Sequence, residues 1–550
     1  MAWIKHISRC LGILLLAMLS GCMQGEPNVA AGNRDGILHI GNGAEPQSLD
    51  PHVMTSATDA NITGALFEGL VAKNPYTLAI EPGVAQRWTF SEDLKTITFY
   101  LRKNARWSNG ETLDARDFVY SLRRILTPAM ANPVAYLLYP ISGAEAFNRG
   151  QTTNVHSLGV RLIDHYTLEI KLNNPTPYFL ELLAGYYGYP VPKATIEAFG
   201  KTTDRYSRWT RAGNLVGNGP FTLKSWRMQR DVTVVKNPHY WDAEQVALNS
   251  VVFHAVESPL IEEKMFRVGQ LHYTTTVPLS KINGYRAQPK SPYHQKPMVG
   301  TYYYMFNIDR PPVDDVRVRR ALALSVNRQQ LIDKLLLGTA IASPALVPMN
   351  LIPGYEPPDL LAYNPEAAKQ LLAEAGYPNG KGWPGLTLMF NTSEDHRKVA
   401  VAVQQMWKKQ LNIEVTLVNQ EWKVYLNTTQ LKNFQLARMG WIAGIRDPAL
   451  FLDGFTTDSG TNRTGFSNKR YDELILDKAP AAIDPVKRLA LLRQAESIFI
   501  EQVPLIPFYT YNSKHLVQPS VHGAPANVAN LLNYKYISLD STAKVFEYKD

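Results

Sequence analysis

Residues 386–419 constrain the fold more than any other stretch. LTLMFNT (386–392) and IEVTLVN (413–419) are apolar and β-branched enough for strands, and a helix around His396–Leu411 separates them. Strand, helix, strand at these lengths demands a parallel pair joined by a right-handed crossover. FQLARMGW (434–441) supplies the next strand of the same sheet. Its alternation puts Leu436, Arg438 and Gly440 on one face and Ala437, Met439 and Trp441 on the other. Gly440 is expected to open a turn through Gly444, which leaves aromatic and glycine residues at the carboxyl end of a strand, where open α/β sheets bind ligands. Read alone, the stretch from Asn419 to Pro448 fits equally a core strand whose Arg438, Trp422 and Trp441 are packed or paired structurally.

The rest of the chain is mixed. ILHI begins a strand at Ile37, and Asp50-Pro51 forms a turn. Asn61–Glu68 reads as a short helix stopped by Gly69. TITFYLR (96–102) alternates as a strand, and Asn109-Gly110 is a turn signal. Asp114 can cap a helix with Phe118, Leu122, Ile125 and Leu126 at helical spacing, ended by Pro128. Further strands are expected at 166–172 and 231–237. From Thr301 an aromatic strand, TYYYMFNID, leads to Asp314 as a cap and a long helix, roughly Asp315–Leu337, closed by Gly338. Helices are also expected at Glu366–Ala375 and Val486–Ile500, with strands at LIPFYTY and the C-terminus. The parallel-sheet signal is confined to about residues 300–500, an α/β lobe inserted into a mixed lobe, and no solenoid-length repeat runs through the chain. With 550 residues, 45% of them apolar and 19% charged, the chain can fill two or three globular domains.

The N-terminus addresses the chain outward. Lys5 and Arg9 precede an apolar run, Leu11–Leu19, too short to span a bilayer and followed by Ser20 and Gly21, as in a secretory signal. Leu19-Ser20-Gly21-Cys22 resembles the lipobox of bacterial lipoproteins, which implies cleavage before Cys22 and its lipidation; plain cleavage that leaves a free cysteine is the alternative. Cys10 leaves with the signal, so the mature chain forms no internal disulfide. Residues 23–35 are small and polar and read as a flexible tether.

Catalytic signatures do not assemble. There is no His-Glu-x-x-His, no G-x-S-x-G and no P-loop; GYPNGKGWPG (376–385) lacks the spacing of a phosphate cradle. The 12 histidines show no metal-ligand spacing, and Asp314 and Asp315 are better explained as a helix cap and first turn. No catalytic residue, metal or cofactor is implied. A net charge of +9 is spread without basic blocks or a basic-aromatic repeat, which argues against nucleic acid. Aromatic residues are abundant: 28 Tyr, 10 Trp and 19 Phe, with tyrosine clusters at 302–304, 186–189 and 509/511. Buried phenols need partners, so such clusters suit a pocket wall, although most are ordinary core and rim aromatics.

EPQSLDPH, LFEGLV, LRKNARWSNGETLDARDFVYSLRRI, NPHYWD, VDDVRVRRALALSVNR, NQEW and ARMGW together resemble the extracytoplasmic solute-binding proteins of peptide ABC importers, the oligopeptide-binding type, over roughly residues 37–548. The resemblance implies a periplasmic-binding-protein-like type II α/β fold: two large lobes joined by a hinge, plus a smaller lobe. Residues 1–21 are then the signal and 22–36 the tether. Residues 37–67, 193–297 and 512–550 form lobe I, 68–192 the small lobe II, and 298–511 lobe III.

By the same resemblance, Tyr303, His396, Trp422, Arg438, Gly440, Trp441 and Tyr511 are ligand contacts. Arginine and histidine meet a peptide carboxylate, and the tryptophans line side-chain pockets. Thr55 and Ala57 fall where the family offers backbone to the peptide as an added strand. The chain departs from the family at Gly444, where relatives place an aspartate that holds the peptide's ammonium. Val134 and Thr274 replace tyrosines, and Leu336 and Thr429 replace basic residues. Arg446 is new positive charge nearby, facing either the site or solvent. A buried ammonium without a counter-charge costs several kcal/mol, so the amine is held elsewhere or is absent. The expected protein is a monomeric, lipid-anchored bacterial receptor, periplasmic or cell-surface, that closes on a peptide or peptide-like ligand and delivers it to the transmembrane subunits of an ABC permease. A receptor for a non-peptide or N-blocked ligand, a secreted hydrolase and an adhesive lipoprotein are the alternatives.

Overall fold

The structure, a computed structural model, describes residues 26–54 and 56–549. The signal, Cys22 and Thr55 lie outside the described residues.

The six-stranded sheet is built around the segment that constrains it most. Its spatial order is Ala340–Ala342, Leu505–Leu516, Tyr293–Phe306, Leu436–Ile442, Leu386–Asn391 and Val415–Gln420. Leu386–Asn391 pairs in parallel with Val415–Gln420 on one side and with Leu436–Ile442 on the other, as a βαβ unit requires. The crossover helix, Glu394–Leu411, starts on a Ser393 cap and buries Val399, Ala400, Val403, Trp407 and Leu411 along one stripe. Tyr293–Phe306 alternates in exposure at its start and is buried on both faces from Met298 onward. It pairs with Leu505–Leu516 on both sides of a register shift between Pro297 and Thr301.

Two four-stranded sheets complete the scaffold. Ala85–Phe90, Thr96–Leu101, Thr167–Lys171 and Val160–Asp164 form an antiparallel sheet. Against it packs the helix Ala115–Leu126, closed by a reciprocal Asp114–Asp117 capping box. The other sheet orders Ile37–Gly41, Ser250–His254, Asp231–Lys236 and Phe221–Arg227. One apolar core lies under this last sheet; a second runs without a break from the antiparallel sheet into the six-stranded one.

Several expectations are corrected. Residues Asn28–Asp35, taken as tether, form a helix whose Val29, Gly32 and Asn33 are buried, and Val29 donates its N–H to the Gly269 carbonyl at 2.9 Å. Parallel pairing is not confined to residues 300–500, because Ile37–Gly41 pairs in parallel with Ser250–His254. The helix expected at Asn61–Glu68 runs Ala57–Leu66, started by the Ser56 hydroxyl. The long helix after residue 315 is broken. Asp315, not Asp314, caps Val316–Leu324; Ser325 then turns its hydroxyl onto the Leu322 carbonyl, and the Asn327 side chain caps a new start. Side-chain oxygens that compete for backbone groups interrupt a helix that apolar spacing alone would continue. Among the described residues no helix is long and apolar enough to cross a membrane.

Candidate ligand-binding site

A cavity of about 1410 Å³ is lined by the six-stranded sheet, the strand Val71–Lys73 and the helices and loops around them. Ala57, Tyr303, His396, Trp422, Arg438 and the Gly440-Trp441 pair reach its wall, as do Gly444 and Tyr511. Arg446 does not: it is exposed at the end of the strand, off the wall. Gly440 opens no turn either. It sits inside the strand Leu436–Ile442, opposite Tyr302.

The reason for a glycine at 440 is a close approach. A Cβ there would lie 2.3 Å from the Tyr511 hydroxyl. Its absence lets Tyr511 reach Arg438, whose Nη2 donates to that hydroxyl at 2.6 Å. Nη1 donates to Asn391 Oδ1 at 3.3 Å, and the guanidinium carbon stands 4.7 Å from the Tyr302 ring centre. Nε is buried with no partner, and no described carboxylate pairs with the guanidinium, though the residue is only 9% exposed. His396, at the start of the crossover helix, sets its ring 5.7 Å from that of Tyr302 at a tilt of 49°. Burial, then the charges of Arg438 and Lys514, hold its pKa well below the ordinary histidine value, so the ring is neutral at pH 7.

The tryptophans sit where their neighbours fix them. Trp422 opens the helix Trp422–Gln430 and stacks on Tyr425 at 6.1 Å, while Tyr425 donates its hydroxyl to the Arg438 carbonyl. Trp441 lines the cavity, and its buried indole N–H has no partner among the described residues.

Gly444 has a different environment from Gly440. Nothing lies within 4 Å of where its Cβ would be. Its carbonyl accepts from Lys73 Nζ at 2.8 Å, and the same ammonium pairs with Glu181 Oε2 at 2.9 Å. The protein's own ammonium therefore stands beside position 444, held by a carboxylate from the side of the antiparallel sheet. Lys73 and Glu181 were not singled out from the sequence, and neither was Arg463, which lines the cavity and donates from Nη1 to Thr429 Oγ1 at 2.8 Å. Lys514 and Asp395 also face the cavity near each other; burial lowers the pKa of the lysine and raises that of the aspartate. Glu68 is tied by the Tyr240 hydroxyl at 2.5 Å and the Trp241 indole at 2.6 Å, and burial pushes its pKa up to about 7.

The wall thus combines broad aromatic faces, neutral polar groups and more cationic than anionic side chains. It contains the means to grip a small molecule and hold anionic groups in a water-poor space.

Comparison with known proteins gives the same direction. The family described as bacterial extracellular solute-binding proteins, family 5 Middle, matches residues 79–463. The chain is 35% identical to the Periplasmic oligopeptide-binding protein OppA of Escherichia coli (strain K12), covering 93% of this chain and 95% of the relative. It is 34% identical to the Probable deoxycholate-binding periplasmic protein YgiS of the same strain, over 91% of this chain and 92% of the relative. The solved structure of the Escherichia coli murein tripeptide binding protein MppA superposes with a TM-score of 0.86 at 34% identity, covering 92% of this chain and 98% of that one.

Proposed function

The chain belongs to the bacterial extracellular solute-binding proteins of family 5, with their type II periplasmic-binding-protein-like mixed α/β fold, and from that premise we propose that it is a peptide receptor of an ABC importer. It binds a peptide or peptide-like ligand between its lobes, closes by a hinge and delivers the ligand to a permease. Cys22 carries the lipid that tethers it outside the cytoplasmic membrane. In this reading the lobes are 37–67 with 193–297 and 512–550, then 68–192, then 298–511, and the helix Asn28–Asp35 joins the first through the Val29–Gly269 hydrogen bond. The hinge falls where Tyr293–Phe306 and Leu505–Leu516 shift register near Pro297.

The observation that supports this reading most is Arg438. A guanidinium fixed in a large cavity by Tyr511, Asn391 and the Tyr302 ring, without a carboxylate of its own, is prepared for a carboxylate that arrives with the ligand. No catalytic step is part of this reading.

A second reading concerns the other end of the ligand. Gly444 brings no negative charge, and Glu181, the carboxylate that reaches this place, is already taken by Lys73. The site therefore favours a ligand whose amine is blocked, is held elsewhere or is absent, and a non-peptide ligand is its limiting case. The test is mass spectrometry of whatever co-purifies with the protein, followed by calorimetric titration of the eluted peptide and its N-acetylated form. Comparable affinities are expected. A loss of tenfold or more on acetylation overturns the blocked-amine reading, and a protein that retains a non-peptide molecule in place of any peptide overturns the peptide-receptor reading.

A further inference from the structure

We infer that Arg463 is a second anion-binding residue of the cavity and that the preferred ligands are peptides with a carboxylate besides the terminal one. The inference rests on the peptide-receptor reading above and extends it to the class of ligand.

The charges on the cavity wall divide into matched and unmatched. Lys73 is matched by Glu181 at 2.9 Å. Lys514 forms no ion pair among the described residues, although the charge of Asp395 opposes the burial that lowers its pKa. Glu68 is held by two neutral donors. Arg438 and Arg463 have no described carboxylate partner, and Arg205, also on the wall, adds to the same sign. Arg463 is half-buried, and its only hydrogen bond among the described residues is to the Thr429 hydroxyl. Thr429 is itself fully buried and gives its own proton to the Leu426 carbonyl at 3.0 Å, so it offers the arginine a neutral lone pair.

The arginine is not a side chain on a loose loop. Its neighbour Asn462 donates to the carbonyls of Phe455, Thr456 and Phe466 at 3.2, 3.2 and 2.8 Å, and accepts from the Thr464 N–H and hydroxyl at 3.2 and 2.8 Å. That network fixes the backbone on both sides of Arg463. Burial opposes its charge and lowers its pKa. Arg463 bonds Thr429 and the Arg438 carbonyl accepts the Tyr425 hydroxyl, and both partners lie on the helix Trp422–Gln430, so the two arginines flank one end of the cavity.

Two desolvated guanidiniums at one end of a cavity repel each other and lose hydration. A ligand with two carboxylates relieves both costs at once, each through a forked pair of N–H···O bonds. A ligand with one carboxylate leaves the second guanidinium unmatched.

The test uses the full chain and an equimolar pool of Ala-Xaa-Ala tripeptides, free and N-acetylated. The retained peptides are separated with the protein by gel filtration and identified by mass spectrometry. Retention of Glu and Asp peptides about tenfold or more above their Gln and Asn isosteres is expected. Arg463→Gln should bring the ratio of retained Glu to Gln peptide close to one, and Arg463→Lys should keep part of the preference. Equal retention of Glu and Gln peptides by the unaltered protein overturns the inference, as does a preference undiminished in Arg463→Gln. Should that variant not fold, the unaltered protein's Glu/Gln ratio and Arg463→Lys decide alone. A protein that retains no tripeptide at all overturns the receptor reading and this inference with it, whereas neutral retention without acidic preference overturns only the latter.

Discussion

Arg124 and Arg438 are both buried, and the protein treats them in opposite ways. Arg124, on the helix Ala115–Leu126, is fully buried and forms a fork onto Asp50 with contacts of 3.0 and 2.7 Å. Its Nε donates to the Thr202 carbonyl at 2.8 Å, and its Nη1 to His52 Nδ1 at 3.1 Å. Arg438 has two neutral oxygens and a ring face and, among the described residues, no carboxylate. The lack of a carboxylate alone does not mark a ligand site. Arg319 lacks one too, yet it is saturated by the carbonyls of Gln502, Val503, Val313 and Asp314, away from the cavity. What distinguishes Arg438 is unsaturated donors together with a cavity in front of them. A structural arginine is completed by the chain, and a receptor arginine is left for the ligand to complete.

The comparison breaks or holds first on stability. Removing Arg124 strands Asp50 beside His52 in the interior, and uncompensated buried charge costs about 3–5 kcal/mol. Arg124→Met is expected to lose that much in denaturant unfolding without ligand, and Arg124→Met with Asp50→Leu should recover a large part. If Arg124→Met unfolds like the unaltered protein, the pair is not structural and the contrast fails.

Arg438→Met should behave the other way round. With no partner to strand, unfolding without ligand should move by less than about 1 kcal/mol. Affinity for an eluted peptide should fall about 100-fold or more by calorimetry, within the range seen when one member of a buried charge pair is truncated. A variant that binds normally but unfolds early would place Arg438 with Arg124.

How much of this was legible in the sequence follows from what is local. The βαβ unit at 386–419 was readable because strand, crossover and strand are consecutive and each has its own apolar period. The pairing of Ile37–Gly41 with Ser250–His254 was not, because nothing in either strand names a partner so distant in the chain. Arg438, Trp441 and Trp422 lay within one recognisable stretch, and the structure brings them to one wall. Arg463 and Lys73 lie on other segments with no periodicity, and only folding carries Lys73 to the Gly444 carbonyl. Arg446 misled for the converse reason. It is a near neighbour of Gly444 in sequence, but the chain after Ile442 turns it to solvent. Nearness along the chain is a poor guide at the end of a strand.

The contrast also extends to protons. His52 is fully buried; its Nδ1 accepts from Arg124, its other ring nitrogen meets the Tyr189 carbonyl at 3.2 Å, and Asn132 holds its backbone carbonyl at 3.0 Å. Protonation would put a hydrogen on Nδ1 against the guanidinium. Burial and then Arg124 lower the His52 pKa to about 4, although Asp50 opposes them. The unfolded chain, with a histidine near 6.5, binds more protons than the folded one between about pH 4 and 6.5. Stability from this group is therefore complete above pH 6.5 and declines as pH falls through that window, by at most about 1.4 kcal/mol per pH unit. A glutamine side chain in its place would keep an acceptor for Arg124 and a donor for Tyr189 without the proton, so His52→Gln should flatten the decline. The difference between the two unfolding curves, measured from pH 7 to pH 4.5, isolates His52 from the other buried histidines. A difference that stays constant over the window would mean that the Arg124 cluster does not govern this histidine.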